Sequence, residues 1–269
     1  MDILTHVVSG IVAGSVVAAF SRTEKIPAQR IFAAGALGGA FPDIDALSLW
    51  SKFDATIGKW FALTHSGSEI YSGKIWYSHH AFFHSVAAAV IAGFLFGCVV
   101  YSYHYLHWKD NVDSLVHFFK INRPVYLAFV LGCMTHAAGD MLTPASVWGG
   151  VQLFWPYTGY MGGFGKIWWW NNYDIFLIIS AGSLLNIAFI TVAEHLRIRA
   201  GIITLLITLL VISCVWRQAV TRNYDYAYTG NTIQYQQLEQ KSKQEQQRIL
   251  GPRVYRIMDR IDKLLFFNF

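Results

Sequence analysis

Val125–Leu142, VYLAFVLGCMTHAAGDML, is the stretch whose reading decides the fold. Its first part is almost wholly apolar, as a helix in hydrocarbon must be. A histidine and a carboxylate then follow, four residues apart. On a helix, positions i and i+4 stack on one face, so the His136 imidazole and the Asp140 carboxylate reach toward one point. Ionisable groups are costly inside a membrane segment, and where they stand they mark a functional site.

The whole 269-residue chain shares that character, with 54% hydrophobic and 14% charged residues and a mean hydropathy of +0.36. These values argue against an ordinary soluble domain and define an all-α, polytopic helical membrane protein. Its 10 Trp, 14 Tyr and 19 Phe suit the aromatic belts found at both membrane surfaces. The net charge of +5 falls mostly near the C-terminus, so nucleic-acid binding is not indicated. Cys98, Cys133 and Cys214 lie in separate apolar segments without ligand spacing and read as small buried hydrophobes. No basic region precedes the first apolar run, which itself contains His6, so no cleavable signal peptide is expected.

Five to six membrane segments follow from the apolar runs. Ile3 to Phe20 is the first, with Gly10 and Gly14 giving a small-residue face for close helix contact. Ile31 to Phe41 is about half the length of a full crossing and repeats that spacing with Gly35 and Gly39. It is expected to be short or re-entrant and to end at Pro42. Phe82 to Tyr103, Val125 to Leu142, Ile175 to Ala193 and Ile202 to Trp216 complete a membrane domain, residues 1–216. Residues 217–269 form a polar tail. Near its end Val254, Ile257, Ile261, Leu264 and Leu265 recur at helical spacing beside Arg253, Arg256, Arg260 and Lys263. Such a basic amphipathic helix either lies on lipid or packs on the protein's own loops.

Lysine and arginine placement orients the spans. Arg22, Lys25, Arg30, Lys109, Lys120, Arg123, Arg197 and Arg199 fall in alternate loops, which the positive-inside rule puts in the cytoplasm, leaving the N-terminus outside. A re-entrant second helix would undo this alternation. On this count His6, Asp43, Asp45, His79, His80, His84, His136 and Asp140 gather near one membrane face. His104, His107, His117 and His195 fall near the other and read as solvated.

Imidazole nitrogens with carboxylate oxygens and no thiolate suit zinc, or another divalent ion such as manganese, nickel or iron. In the sequence PDID, Pro42 discourages continuation of the helix and leaves Asp43 and Asp45 on an irregular turn. One can bind directly while the other bridges a second ion or orients a histidine. His80 and His84 would share one helical face, and His79 would swing in from the preceding loop. A bound divalent ion brings the pKa of water toward neutrality and polarises a phosphoryl or carbonyl oxygen. Asp43, Asp45 and His80 are the groups available to move the proton.

In order and spacing, Thr5-His6, the stretch Leu37 to Asp45, His79 to Ser85, His136 to Pro144 and Trp148 to Tyr157 resemble the membrane-bound metal-dependent hydrolase family called YdjM-like. Some bacterial members are described as LexA-regulated inner-membrane proteins. The likeness covers roughly the first 160 residues. It implies His6, Asp43, Asp45, His79, His84, His136 and Asp140 as metal-site groups. His80 stands where the family commonly has arginine, so it is either a replacement for a phosphate-gripping side chain or an extra ligand. A looser similarity, in ligand types alone, links the set to the zinc phospholipase C and P1-type nuclease group.

The expected function is therefore a multi-pass inner-membrane, metal-dependent hydrolase cleaving a phosphoester or other headgroup bond of a lipid or lipid-linked substrate. The aromatic stretch Trp148 to Trp170 would lie at headgroup depth, as an anchor or a substrate guide, and its glycines mark it as a candidate mobile loop. The alternatives are a divalent-cation or proton-coupled transporter, and a non-catalytic membrane protein with a structural metal. If the enzyme is confined to the family-like region, removing the residues after Arg217 should leave activity intact.

Overall fold

The computed structural model describes residues 1–21, 26–107, 114–144, 149–195, 200–222, 225–230 and 232–264. Six helices form the bundle: α1 (Ile3–Phe20), α2 (Ala28–Ala40), α4 (Val86–His107), α5 (Leu115–Asp140), α6 (Tyr173–His195) and α7 (Gly201–Val220). A short α3 (Gly67–Ser72) lies in the loop between α2 and α4, and α8 (Thr232–Leu264) forms the tail. Of these, α1, α4, α6 and α7 are long and apolar enough to cross a membrane. Helix α1 is the central one, because 56% of its most apolar window is buried, against 22–33% in the other three. The outward faces of those three carry Phe94, Val99, Leu184, Leu185, Leu206 and Leu210, all more than half exposed, a surface suited to lipid.

Glycine decides how α1, α2 and α5 meet. A Cβ at Gly10 would overlap the Gly35 carbonyl, one at Gly39 the His6 carbonyl, and one at Gly38 the Phe129 carbonyl. A Cβ at Gly132 would overlap the Gly35 carbonyl in turn. The two small-residue faces read from the sequence thus pack against each other, with backbone almost touching backbone. A second seam joins α1 to α6 and α7, where buried Asn186 donates to Ser15 Oγ at 2.9 Å and to Thr208 Oγ1 at 3.0 Å.

Helix α2 runs antiparallel to α1, from the level of Val17 and Ala18 back to that of His6. It is therefore short, and its end returns to the level at which α1 begins. On the far side, Lys120 and Arg123 lie within the first turns of α5, and Arg30 in the first turn of α2. Arg22, Lys25, Lys109, Arg197 and Arg199 fall outside the described residues. The α-helix ends at Ala40, just before Pro42 as expected, and the chain continues without a break. It tightens into a 3-10 helix, Phe41–Leu49, in which proline occupies an early position where it gives up no needed hydrogen bond. The third bundle helix starts at Val86, later than its apolar run suggests, because Ser85 caps it, with Oγ accepting from the Ala88 amide at 3.0 Å.

The tail divides at Gly251, whose φ of 72° breaks α8 before Pro252. The first half packs on the protein's own loops, burying Leu238, Ser242, Glu245 and Gln246. In the second half Met258 packs near Tyr173, while Val254, Ile257, Ile261 and Leu264 remain 40–80% exposed. The basic amphipathic segment thus packs on the protein through Met258 and leaves most of its apolar residues exposed; Leu265 lies outside the described residues. Cys98, Cys133 and Cys214 are free thiols, of which only Cys133 is buried.

Candidate metal centre

The helix ends on one side of the bundle deliver the ionisable groups. His6 enters one turn into α1, behind an N-cap in which Asp2 accepts the Thr5 amide at 2.8 Å and its hydroxyl at 2.7 Å. His136 and Asp140 close α5, while Asp43 and Asp45 follow α2 directly. His79 and His80 come from turns before α4, and His84 from a single 3-10 turn, Phe82–His84. His80 and His84 therefore do not share a helical face. They converge because His80 takes a left-handed backbone, φ 65°, and its carbonyl is fixed by the Gln152 amide at 2.8 Å. A non-glycine residue in that region is strained and needs such bracing.

All eight residues meet. His136 Nε2 lies 3.2 Å from His84 Nε2, 3.0 Å from Asp140 Oδ2 and 3.4 Å from Asp43 Oδ1. His84 Nε2 lies 3.4 Å from Asp140 Oδ2 and 3.9 Å from Asp43 Oδ1. A tetrahedral ion with bonds of about 2.0–2.1 Å spaces its donors about 3.3–3.5 Å apart. The separations among His84, His136 and Asp43 bracket that spacing, so these three could hold one ion, and Asp140 Oδ2 lies within 3.4 Å of both histidines. Three sets that overlap this one also hold donor atoms within 4.8 Å of one another: His79, His80 and His84; His6, His136 and Asp140; and Asp43, Asp45 and His79.

The groups behind the donors fix which atoms face inward. His136 Nδ1 donates to the Gly39 carbonyl at 2.7 Å, which leaves Nε2 with its lone pair toward the cluster. His79 Nδ1 donates to Asp45 Oδ1 at 2.7 Å, and Asp45 Oδ2 sits 3.3 Å from His84 Nδ1. Asp45 thus contacts both His79 and His84, as an orienting carboxylate would, while Asp43 Oδ1 faces the Nε2 atoms of His84 and His136. His6 stacks on His136 with centroids 3.6 Å apart, and its Nε2 lies 3.2 Å from Asp140 Oδ1. That same oxygen accepts from the Met1 amine at 2.5 Å. Asp140 Oδ2, Asp45 Oδ2, His84 Nδ1 and His6 Nδ1 are buried without a hydrogen-bond partner. Acceptor oxygens left dry in this way are what a cation would satisfy.

Electrostatics in the loops follow from the crowding. Burial alone would raise Asp45, but the charges of His79 and His84, with the His79 hydrogen bond, outweigh it and hold the carboxyl at about 2. Asp43 is likewise held below the usual range against its own burial, chiefly by His136. Burial, reinforced by His79, pushes His80 well down, so this imidazole is neutral. His84 is raised despite its burial, by Asp45 first.

Beside the cluster lies a cavity of about 1160 Å³. Asp43, His79, His80 and Asp140 form its polar end, with Leu37, Ile44, Phe96 and Phe129 among its apolar walls. Tyr71, from α3, also lines it and stacks on His79 with centroids 4.4 Å apart. Burial and the charges of Asp43, Asp45 and Asp140 push its phenol up, so it stays a donor. Neither Tyr71 nor Asp2 figured among the sequence candidates. An acidic residue just before an apolar run is an N-cap signal, but nothing in the sequence links Tyr71 to the histidines.

The aromatic stretch divides in two, Phe154, Tyr157 and Phe164 being exposed and the tryptophans at its end mostly covered. Trp168 and Trp169 are buried, packed with Tyr226, Tyr228 and Leu238, while Trp170 donates from Nε1 to Tyr235 OH at 2.7 Å. The preceding glycine-rich loop is pinned, since Phe164, Gly165 and Lys166 donate their amides to the Met141, Thr143 and Leu142 carbonyls. Trp148 lies outside the described residues. His104, His107, His117 and His195 sit at the opposite helix ends, away from the cluster.

Fold and site together define a polytopic helical membrane protein with a buried histidine–carboxylate centre of metal-ligand type at one face. Residues 1–221 match the model of the YdjM inner membrane protein family, and the chain belongs to that family as a multi-pass inner-membrane protein. The match runs through α7, well past the roughly 160 residues that carry the motifs, and stops before α8. Neither a curated protein nor a solved structure matches the chain.

Proposed function

We propose that this protein is a membrane-embedded, metal-dependent hydrolase that cleaves a phosphoester or another headgroup bond of a lipid or lipid-linked substrate. The observation that carries this reading is the meeting of His84, His136 and Asp43 donors at tetrahedral spacing, with Asp140 close to both histidines, beside a largely apolar cavity. Zinc suits these donors; manganese, nickel or iron would also accept them. A divalent ion held there would lower the pKa of water and polarise a phosphoryl or carbonyl oxygen.

The protein's own groups divide the remaining work. Asp45 orients His79 and His84 from behind. His80, on the cavity wall, is the group placed to move a proton. Tyr71 offers a hydrogen bond to a substrate oxygen or to the leaving group. The apolar walls suit a hydrocarbon chain, so a substrate ester can reach the cluster with its chain still shielded from water.

The test is metal analysis of purified full-length protein, with release of phosphate or headgroup from bacterial phospholipids as the activity readout. Bound metal and hydrolysis are expected to disappear together in a His136→Ala, Asp140→Ala double variant. Unchanged metal content in that variant would sink the assignment. Ion flux in liposomes without bond cleavage would support the transporter instead.

A further inference from the structure

Helix α8 lies beyond the family match, yet it reaches the candidate site. Tyr235, in its first turn, lines the same cavity as Asp43, His79, His80, Asp140 and Tyr71. Its ring is held by Trp168, at a centroid distance of 5.1 Å, and by Trp169, stacked at 6.3 Å. Its hydroxyl oxygen accepts the Trp170 indole N–H at 2.7 Å. The hydroxyl's own proton is left to donate, and no acceptor for it occurs among the described residues. A rigidly seated phenol with a donor to spare, at the rim of an apolar cavity with a cationic-ligand cluster at one end, is suited to an anionic head oxygen.

We propose that Tyr235 and Trp170 form a substrate clamp, in which α8 closes the cavity and the Tyr235 hydroxyl donates to an anionic oxygen of an amphiphile whose hydrocarbon chain runs along Leu37, Ile44 and Phe129. The clamp rests on the hydrolase reading for its substrate, but its binding step is independent of cleavage. Trp170 is a positioning residue, since it acts on the head oxygen only through Tyr235. The expectation that the residues after Arg217 are dispensable is accordingly reversed: their loss would open the cavity and uncover Trp168.

The experiment is calorimetric titration of the full-length, zinc-loaded protein in maltoside detergent with hexadecylphosphonate and, as the head alone, methylphosphonate. Tyr235→Phe keeps the aromatic packing and removes only the hydroxyl. It is expected to weaken both probes about tenfold, the loss of one hydrogen bond to a charged group, with zinc content unchanged. Trp170→Phe should weaken them by a smaller factor, and the double variant by no more than Tyr235→Phe alone. Leu37→Trp should weaken hexadecylphosphonate only. Wild-type affinity for both probes in Tyr235→Phe, with zinc retained, would overturn the clamp and reduce α8 to a structural cover. Failure of the wild type to bind either probe would overturn it as well. A zinc-loaded wild type that binds both probes, shows the Tyr235→Phe loss and hydrolyses no phospholipid would support the clamp and refute the hydrolase.

Discussion

Two buried ionic clusters lie on the same side of this bundle, and they are built to opposite specifications. In one, Arg222 Nη2 donates to both Asp174 oxygens at 2.7 Å, and its Nη1 reaches Asn172 Oδ1 at 2.9 Å. Gln246 closes the group, donating to Asp174 Oδ1 at 2.8 Å and accepting the Asp174 amide at 3.1 Å. One fixed cation meets one anion through a planar fork, and three segments, α6, α7 and α8, are joined. The other cluster gathers Asp43, Asp45 and Asp140 with five imidazoles and still leaves Asp140 Oδ2 and Asp45 Oδ2 dry. In the first cluster a cation and an anion of the chain face each other, whereas in the second the carboxylates face imidazoles, groups that can give up protons and could leave room for a cation.

That contrast can be broken from either end. The largest effect is expected from the His136→Ala, Asp140→Ala variant, with metal affinity reduced by more than about 100-fold, since even supporting residues cost 10–100-fold; plasma mass spectrometry of the purified protein reads it. Next, Asp174→Asn should lower stability by about 3–5 kcal/mol, as expected for breaking a buried pair on one side only. Thermal unfolding in detergent should show this loss with metal content per folded molecule unchanged, and Arg222→Met added to Asp174→Leu should recover much of it. A ligand-type role for Asp174 would instead take the metal away. Asp45→Asn should keep the fold and cost about 10–100-fold in metal affinity.

The smallest effect is one of pH. His84 is raised above the ordinary value near 6.5, so metal entry displaces its proton, and affinity should climb about tenfold per pH unit until that imidazole has titrated. The sign for stability is the reverse. In the metal-free protein the protonated imidazole contributes fully below about 6.5 and the contribution is lost as pH rises through the raised value. Metal titrations and chelator-treated melting curves across that range should therefore slope in opposite directions.

Much of this was legible in the residues. The apolar runs located every bundle helix, and the small-residue faces of Gly10, Gly14, Gly35 and Gly39 anticipated the α1–α2 seam. Counting loops was enough to bring His6, PDID, His79–His84, His136 and Asp140 to one face, because crossing a membrane sorts residues into only two levels. What spacing could not supply was local conformation. The i,i+4 relation of His80 and His84 suggested a helix, whereas the pair meets through a left-handed residue braced by Gln152. Tyr71 and Tyr235 reach the cavity from α3 and α8, and such long-range packing carries no periodic signal. The three tryptophans, amphipathic enough for an interface, were instead drawn under the tail by the tyrosines Tyr226, Tyr228 and Tyr235.

Helix α2 has one more consequence. Its 13 residues rise about 20 Å, some 10 Å less than the hydrocarbon core of a typical bilayer. Ala33 and Leu37 are exposed along it, Leu37 beside the cavity, an edge suited to lipid. A membrane answers such mismatch by thinning beside the protein. The dimple would fall next to Asp43 and the cavity mouth, bringing nearby acyl esters and phosphates down to the depth of the cluster. The protein would then reshape the bilayer locally and spare a lipid much of the climb out of it.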